Sequence, residues 1–481
     1  MFPARVAIAA GLAALVVGGG VAAALREPAP AATGAFVRDD DGRALVAGGF
    51  NTASSSKSAP DGMPDFSEAD LDREHADTGT GFVRFLISWR KVEPSPGTYD
   101  QAYLDDVAER VDWYAERGYH VMLDMHQDLW SGAITPSGDA GNGAPAWATY
   151  LDGLPVRDHD MWELYYLEPG VIRAFDHFWN TTGEHPELME HYAGAWRAVA
   201  QRFAGSEAVV AYDLMNEPYG GTVQGPAFEA GPLTELYRRT VDAIREVDPD
   251  TWACLEPQAM GFNWGLPSGL RPVDDPRDGE PRIAFCPHLY PLPMDLGEGF
   301  SGTSRGLVEG TVDAWAANTA RTARALGDVP VILGEFGLDT TKPGALEYVD
   351  LVYRTADAAG MGVVYWSSDP GPWGPYESDG RPRNLLGVVD RPYPRAVAGD
   401  LRSWQVADDE LVIRLGTGRP GADDDGAGVG AGAASEAYLP AKAFPDGGAV
   451  DGGRVVAWDP ATRVLTFTID AGATTVTIRP A

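Results

Sequence analysis

Two glutamates stand where apolar segments of the chain give way to loops. Glu217 lies in the motif NEP at the end of one segment, and Glu335 lies in the motif GEFG at the end of another. Hydrolysis of a glycosidic bond needs two carboxyl groups beside the anomeric carbon, one protonated to assist the leaving oxygen and one ionised to attack. A lone glutamate at a strand end is more often an ion-pair partner, but the conjunction of both motifs favours catalysis.

These motifs belong to a repeating pattern that predicts parallel strands and helices. From about residue 45 to residue 400, short apolar segments alternate with longer amphipathic ones, which is typical of β/α architecture. The predicted strands are Leu45 to Phe50, Phe82 to Leu86, His120 to Asp124, Val209 to Leu214, Thr251 to Glu256, Ile283 to Pro287, Val331 to Glu335, and Gly362 to Trp366. The predicted helices are Tyr103 to Arg117, Leu188 to Phe203, Leu233 to Val247, Thr311 to Leu326, and Leu346 to Ala359.

The eight units predict an α/β fold, a (β/α)8 TIM barrel over residues 34–400. Its active site must lie at the carboxyl ends of the strands. Because Glu217 follows the fourth strand and Glu335 ends the seventh, a rigid barrel would hold them at a fixed separation. Long insertions follow the third and sixth strands. Period-two alternation over residues 401–481 predicts a C-terminal antiparallel β-sandwich domain.

Residues 1–33 contain an apolar run from Val6 to Leu25, followed by Arg26 and a stretch rich in proline and alanine. This pattern predicts a cleaved signal peptide and a secreted protein. The run is long enough to serve instead as an uncleaved membrane anchor. Its many glycines and alanines make it weakly hydrophobic, which favours cleavage.

Charge and cysteine content narrow the function further. The chain has 37 basic and 70 acidic residues, a formal net charge of −33, which would repel phosphate backbones and argues against a nucleic-acid partner. Cys254 and Cys286 lie in neighbouring predicted strands, and they could form a disulfide in an exported protein or remain two buried thiols.

The barrel resembles glycoside hydrolase family 5 of clan A, and more narrowly the endoglycoceramidases and their relatives that cleave lipid glycosides. The two glutamate motifs carry the resemblance to the clan. The narrower resemblance rests on DMHQD at 124–128, APAWA at 144–148, PHLYP at 287–291, VYWS at 364–367 and RPYPR at 391–395. It extends from about Gly48 through the C-terminal domain.

The resemblance implies that Glu217 is the acid/base and Glu335 the nucleophile of a retaining double displacement, which needs no metal or organic cofactor. It also implies a set of substrate-binding residues. These are Lys57, Arg84, His126, Asp128, Asn216, His288, Tyr290 and Trp366.

Each implied residue suits a distinct task. The Asn216 amide would hold the hydroxyl next to the anomeric carbon, where hydrogen bonds strengthen in the transition state. Arg84 is a charge inside an apolar strand and requires a partner, for which Glu335 is the expected one; a purely structural salt bridge is the alternative. Tyr290 should donate a hydrogen bond to Glu335, and His288 should line the same pocket.

The remaining implied residues would contact the sugar. His126 and Asp128 would bind sugar hydroxyls, Lys57 matches a substrate-binding lysine, and Trp366 would offer its aromatic face to the ring. Apolar residues in the two insertions either line a groove for a lipid aglycone or form small cores of their own. They include Trp130, Ile134, Trp147, Leu154, Trp162, Leu164, Tyr165, Tyr166 and Leu167, and then Leu292, Pro293, Met294, Leu296 and Phe300.

The expected function is therefore hydrolysis of the β-glycosidic bond between the glycan and the ceramide of a glycolipid. An exo-acting relative, which removes one glucose or galactose from a simple glycosylceramide or a sterol glycoside, is the alternative. A non-catalytic glycolipid-binding barrel is disfavoured because it would not need the paired glutamates and their neighbours. We expect a monomer that makes transient contact with a lipid surface or micelles.

Overall fold

The computed structural model describes residues 35–39, 41–295, 299–407, 410–416 and 433–481. The predicted signal peptide, residues 1–33, lies outside the described residues. Within the described ranges, eight parallel strands form one sheet in the order β6-β5-β4-β3-β2-β1-β8-β7. They are β1 (Gly48–Asn51), β2 (Phe82–Ile87), β3 (His120–Met125), β4 (Val209–Asp213), β5 (Trp252–Leu255), β6 (Ile283–Phe285), β7 (Ile332–Leu333) and β8 (Gly362–Tyr365).

The sheet closes between β6 and β7 and so forms the predicted barrel. Phe285 forms a parallel bridge with Val331. Farther along, His288–Leu289 pairs in parallel with Glu335–Phe336, which extends the closure to the carboxyl ends of the strands. The sequence-predicted fold class is confirmed, and closure brings Glu335 to the same end of the barrel as the residues after β4.

Helices cover the barrel. They are α1 (Glu68–Thr78), α2 (Gln101–Ala115), α3 (Pro169–Phe178), α4 (Leu188–Phe203), α5 (Thr234–Arg245), α6 (Gly302–Ala325) and α7 (Ala345–Ala359). The sequence pattern did not predict α1, because among its residues only Leu71 and Thr78 are buried and the apolar periodicity is weak. A capping box fixes its start instead: the Ser67 hydroxyl accepts from the Asp70 N–H, and the Asp70 carboxylate accepts from the Ser67 N–H.

The insertion after β3 adds buried residues to the core that surrounds the barrel. Trp130 is buried and packs against Phe178 of α3, with ring centroids 4.5 Å apart. Ile134 and Tyr165 are also buried in this layer. These residues belong to the same apolar cluster as Phe85 and Trp89, so they neither line the cavity nor form a separate core.

Two antiparallel sheets form the β-sandwich, and except for one short strand before the barrel their strands follow it in the chain. One contains Ala44–Leu45, Tyr393–Val397, Ser435–Tyr438, Gly453–Asp459 and Val464–Ile469; the other contains Leu401–Ala407, Glu410–Leu415, Gly448–Asp451 and Thr475–Pro480. Apolar residues including Trp404, Leu411, Phe467 and Ile478 fill the space between them. The strand Tyr393–Val397 precedes residue 401, where the sequence predicted this domain to begin.

The amino ends of the barrel strands enclose an apolar layer. Phe82, Met122, Ala211 and Val364 are among its buried residues. Cys254 of β5 and Cys286, the residue after β6, are joined in this layer by a disulfide, with Cα atoms 5.6 Å apart. Of the two states that the sequence left open, the structure has the disulfide. In the part of the chain that the structure describes, no helix is both long and apolar enough to cross a membrane.

Candidate active site

The carboxyl ends of the strands bring the two motif glutamates together. Glu217 follows β4 and Glu335 follows β7, and a carboxylate oxygen of each lies within 4.8 Å of the other. Retaining glycosidases hold their carboxyl groups ~5–5.5 Å apart, whereas inverting enzymes leave ~6.5–9.5 Å for a water molecule. Two carboxylate oxygens this close fit a double displacement better than a mechanism that needs a water molecule between the carboxyl groups.

Glu335 is held as an anion. Arg84 Nη1 lies 2.5 Å from its Oε1, and Tyr290 Oη donates to its Oε2 at 2.9 Å. Burial alone would raise the pKa of Glu335, but the positive charges of His288 and Arg84 outweigh burial and lower the pKa below its ordinary value. The partner expected for Arg84 and the hydrogen bond expected from Tyr290 are both present.

Glu217 is held at its backbone and at its carboxylate. Its backbone N–H donates to Glu256 Oε2 at 2.9 Å, and its carbonyl accepts from Gln127 Nε2 at 3.0 Å. Its Oε1 accepts from Asn263 Nδ2 at 2.9 Å and lies 3.1 Å from His288 Nδ1. The sequence singled out His288, but it did not single out Asn263 or Glu256.

Arg84 lies at the centre of a buried charge cluster and is itself fully buried. Its ion-pair partners are Asp124, Asp213, Glu256 and Glu335, all within 3.0 Å. Burial would lower the pKa of Arg84, but these carboxylates raise it well above its ordinary value. A guanidinium with several donors in one plane suits such a cluster better than an ammonium does. Arg84 is fully buried and does not line the cavity, so the contacts that the structure shows for it are all to protein groups.

His288 was expected to line the pocket, but it lies beneath the pocket and is not among the residues that form the lining. Only 1% of its surface is exposed. Its Nδ1 faces Glu217 and Glu335, and its Nε2 lies 3.2 Å from Glu256 Oε1. Burial opposes protonation, but these carboxylates raise the pKa of His288 well above its ordinary value. A parallel-strand pair places His288 beside Glu335, and a buried side chain so placed acts on the carboxylates instead of on a ligand.

Asn216 also faces protein groups. Its Oδ1 accepts from Arg84 Nη2 at 2.9 Å, and its Nδ2 donates to the Gln127 carbonyl at 2.9 Å. Because an amide nitrogen carries two hydrogens, one N–H is used by this contact with Gln127. The side chain lies directly before Glu217 in the floor of the site and is buried.

Lys57, His126, Asp128 and Trp366 form one wall. Lys57 Nζ lies 2.9 Å from Asp128 Oδ2 and 4.3 Å from the centre of a Trp366 ring. The rings of His126 and Trp366 stack at an angle of 13°. Burial would raise the pKa of Asp128, but Lys57 and His126 lower it well below its ordinary value. This wall combines an aromatic face with charged hydrogen-bonding groups, as sugar recognition requires.

A cavity of about 600 Å³ opens above the two glutamates. Polar residues in its lining include Lys57, His126, Asp128, Asn263 and Tyr290. Its aromatic and apolar lining includes Trp162, Tyr166, Tyr219, Met260, Trp264, Met294, Leu338, Trp366 and Trp373. Trp162, Tyr166 and Met294 thus face the cavity as the groove hypothesis predicted, whereas Phe300 is buried and Leu296 lies outside the described residues.

Comparison with known proteins agrees with this geometry. The family model for cellulases, glycosyl hydrolase family 5, matches residues 39–371. The chain belongs to glycosyl hydrolase family 5. It is therefore an O-glycosyl hydrolase, and the family resemblance inferred from the motifs is confirmed.

Among family 5 relatives, endo-glycoceramidase II from Rhodococcus sp. has been solved with ganglioside GM3. It is 62% identical to this chain, the match covers 93% of this chain and 99% of the other, and the TM-score is 0.88. The same enzyme solved as a lactosyl-enzyme intermediate is 62% identical, with 93% and 100% covered and a TM-score of 0.87. Endoglycoceramidase I of Rhodococcus hoagii (strain 103S) is 29% identical over 429 residues, 83% of this chain and 78% of its own.

The charge cluster of this family 5 chain is poorly suited to a metal ion. Ligand atoms of Asp213, Glu256 and His288 lie within 4.8 Å of one another. Arg84, however, pairs with Asp213 at 2.7 Å and with Glu256 at 3.0 Å. A guanidinium in contact with two of these carboxylates already supplies the positive charge that a cation would bring.

Two site residues of this family 5 enzyme had different signals in the sequence. Glu256 ends the predicted fifth strand just as Glu335 ends the predicted seventh, so the position of a glutamate after an apolar strand could have singled it out. Asn263 follows a short helical turn, Ala259–Phe262, in the loop after β5. An asparagine in a loop is ordinary turn chemistry, and only the tertiary structure brings it to Glu217.

Proposed function

We propose that the chain hydrolyses the β-glycosidic bond between the glycan and the ceramide of a glycosphingolipid, with retention of anomeric configuration. One observation carries the proposal: carboxylate oxygens of Glu217 and Glu335 lie within 4.8 Å of each other beside a cavity with both a polar and an aromatic lining. The first feature supplies the mechanism, and the second suits a substrate that is part sugar and part lipid.

In the first step, a carboxylate oxygen of Glu335 attacks the anomeric carbon. The bond from that carbon to the ceramide oxygen breaks, and Glu217 gives its proton to the leaving oxygen. In the second step, Glu217 takes a proton from water, whose oxygen attacks the anomeric carbon and releases Glu335. Two inversions at one carbon leave its configuration unchanged.

The surroundings of the glutamates support this assignment of roles. The Arg84 guanidinium and the Tyr290 hydroxyl both contact Glu335, and the lowered pKa of Glu335 favours the ionised form that a nucleophile needs. The Glu217 carboxylate contacts the Asn263 amide and His288, and it lines the cavity, where a leaving oxygen could reach it.

The sugar would occupy the wall formed by Lys57, His126, Asp128 and Trp366. Asp128 and Lys57 offer charged partners for hydroxyl groups, which strengthens those hydrogen bonds. The Asn216 amide has a second N–H beyond the one it donates to Gln127, and we assign that N–H to the hydroxyl next to the anomeric carbon.

The lipid would lie against the aromatic and apolar lining of the cavity. Trp162 and Trp373 are respectively 48% and 40% exposed although both line it. Exposed tryptophans at the edge of a pocket favour a ligand that covers them. A volume of about 600 Å³ exceeds the needs of a single hexose, which favours endo action over removal of one terminal sugar.

The relatives support the same substrate class. Endo-glycoceramidase II has been solved with ganglioside GM3 and as a lactosyl-enzyme intermediate. A lactosyl-enzyme requires a nucleophilic side chain and a two-sugar glycone, and this chain retains both a candidate nucleophile and a cavity of suitable size.

Product analysis tests the proposal. Purified protein is incubated with lactosylceramide and with GM3 in detergent, and the products are identified by mass spectrometry. We expect intact lactose or sialyl-lactose and free ceramide, with the β anomer of the sugar appearing first in NMR spectra. Release of galactose with glucosylceramide left behind would establish exo action, and no release above that of a Glu217→Gln/Glu335→Gln double variant would overturn the proposal.

We also propose that the protein is exported. The apolar run from Val6 to Leu25 and the disulfide between Cys254 and Cys286 support this, because disulfides persist mainly in oxidising compartments. Expression in a bacterium with a secretion pathway, followed by N-terminal sequencing of the protein in the medium, tests it. A cleaved product outside the cell is expected, and full-length protein retained with the membrane fraction would favour the uncleaved anchor.

A further inference from the structure

Glu256 is a buried carboxylate that contacts the machinery around both candidate catalytic residues. It directly follows β5 and is 1% exposed. Its Oε2 accepts the backbone N–H of Glu217 at 2.9 Å. Its Oε1 lies 3.0 Å from Arg84 Nη2 and 3.2 Å from His288 Nε2. It does not line the cavity, so it acts through other residues.

Glu256 contacts the backbone of Glu217, which has an unfavourable conformation. Glu217 has a φ of 43°, in the left-handed region that residues with a side chain seldom adopt. Such conformations persist only when the surroundings hold them, and they cluster at active sites. Here Glu256 accepts the Glu217 N–H, while Gln127 donates to the Glu217 carbonyl.

A second route leads from Glu256 to the Glu217 carboxylate. His288 Nε2 faces Glu256, and His288 Nδ1 lies 3.1 Å from Glu217 Oε1. Burial raises the pKa of Glu256 above its ordinary value, but each of its oxygens accepts a hydrogen bond, Oε2 from the Glu217 N–H and Oε1 from Arg84 Nη2. The pKa of His288 is raised well above its ordinary value, which favours a proton on each ring nitrogen, so that Nδ1 can donate toward Glu217. Glu256 therefore holds the backbone of Glu217 directly and the carboxylate of Glu217 through His288.

We propose that Glu256 is a positioning residue for the acid/base Glu217, a role that rests on the proposed function of Glu217. A glutamine cannot replace it, because glutamine has one acceptor oxygen and one donor nitrogen. Two acceptor oxygens are needed here: one for the Glu217 N–H, and one for the donors of Arg84 and His288. An amide would place its NH₂ against one of these donors.

The dependence of rate on the leaving group separates this role from a structural one. A dinitrophenolate leaves without a proton, whereas the alkoxide of ceramide requires one. We expect Glu256→Gln to lower kcat/KM ~100-fold on lactosylceramide but less than ~10-fold on 2,4-dinitrophenyl β-lactoside, because only the first reaction needs acid assistance.

Asp213→Asn is the matched control. Asp213 is an equally buried carboxylate that pairs with Arg84 at 2.7 Å, and within the described residues it forms no hydrogen bond or ion pair with Glu217. We expect its losses on the two substrates to be equal within about threefold, since its carboxylate hydrogen-bonds to Arg84 and comes within 4.8 Å of His288 but does not hold the Glu217 backbone. Equal losses on both substrates in Glu256→Gln would overturn the proposal.

Two further experiments cover the cases in which the variant does not fold or the lipid is not a substrate. If Glu256→Gln does not fold, as judged by thermal unfolding, Glu256→Asp replaces it, because the shorter side chain keeps the charge but cannot reach all three partners. The same difference between substrates is then expected, and its absence counts against the proposal. If the wild type cleaves aryl lactosides but not lactosylceramide, the proposed lipid substrate is wrong. The role of Glu256 is then tested with phenyl β-lactoside, whose phenolate is a poor leaving group, in place of lactosylceramide.

Discussion

The two ends of the barrel interior are made by the same strands but hold opposite chemistry. On the side of the amino ends, the strands contribute Phe82, Met122, Ala211 and Val364 to an apolar layer, and the first three lie two positions before Arg84, Asp124 and Asp213, respectively. At the carboxyl ends they contribute Arg84, Asp124 and Asp213 to a charge cluster, which Glu256 and Glu335 complete. In β2 the change occurs between Phe82 and Arg84, two positions apart and therefore on the same face of the strand.

The difference shows where stability and function reside in one fold. The apolar layer is stabilised by burial and tolerates substitutions that keep its volume. Each charge in the cluster is tolerated only with its partner, since a buried charge left alone is strongly destabilising. We therefore expect substitutions at the carboxyl end to affect activity first and those at the amino end to affect stability alone.

Glu335→Gln should have the largest effect. Loss of the nucleophile is expected to lower kcat on an aryl β-lactoside on the order of 10⁴-fold or more. Steady-state kinetics measures this, and thermal unfolding in parallel should show a folded protein. Activity within tenfold of the wild type would contradict the role of Glu335 and the functional character of this end of the barrel.

Glu217→Gln should have the next largest effect, and one that depends on the substrate. We expect kcat/KM on lactosylceramide to fall ~10²–10⁴-fold, and the fall on 2,4-dinitrophenyl β-lactoside to be much smaller. Azide should accelerate turnover of the activated substrate, because it attacks the glycosyl-enzyme without needing a general base. Equal losses on both substrates and no response to azide would argue against an acid/base role.

Arg84→Met should damage both activity and stability. Removal of the guanidinium leaves the carboxylates of the cluster without their partner, at an expected cost of ~3–5 kcal/mol in the free energy of unfolding. Arg245→Met is the control, since Arg245 pairs with the buried Asp275 at 2.8 Å and lies outside the cavity lining. Denaturant unfolding should show losses in both variants, whereas only Arg84→Met should lose most of its kcat.

Cys254→Ala/Cys286→Ala tests the amino end of the barrel. Loss of the disulfide is expected to lower the free energy of unfolding by ~2–4 kcal/mol, while kcat/KM at 25 °C stays within about twofold of the wild type. Urea denaturation of the oxidised wild type, the reduced wild type and the variant gives the first quantity. A large loss of kcat/KM in the folded variant would contradict the expectation that the apolar layer affects stability alone.

Acid pH should affect the carboxyl end through Glu335. Because its folded-state pKa is lowered, Glu335 stays ionised at a pH at which an ordinary glutamate is protonated. The ionised Glu335 therefore stabilises the folded protein fully at a pH above the ordinary glutamate pKa. This stabilisation is lost as the pH falls through the lowered pKa of Glu335 in the folded protein. We expect the acid limb of kcat/KM to lie below the ordinary glutamate pKa. Lys57→Met should move the acid limb to higher pH, since the charge of Lys57 is one of those that lower the pKa of Glu335.

Several features could be predicted from local pattern alone. The eight strands follow from short apolar segments in alternation, and Glu335 and Arg84 stand out because each is a charge at or inside such a segment. Helix α1 escaped prediction since it buries little, and α6 begins at Gly302, earlier than predicted, because its first turns are rich in glycine. Weak burial and low helix propensity remove the signals on which pattern recognition depends.

The sequence by itself determined the barrel, the β-sandwich and the two glutamates, because strand period and strand-end charges are local properties. Only the tertiary structure decided which groups surround those glutamates. Closure between β6 and β7 sets His288 beside Glu335, and the loop after β5 brings Asn263 to Glu217. It also decided that Arg84 and His288 lie beneath the cavity, because burial depends on how distant segments pack around a side chain, which spacing along the chain does not encode.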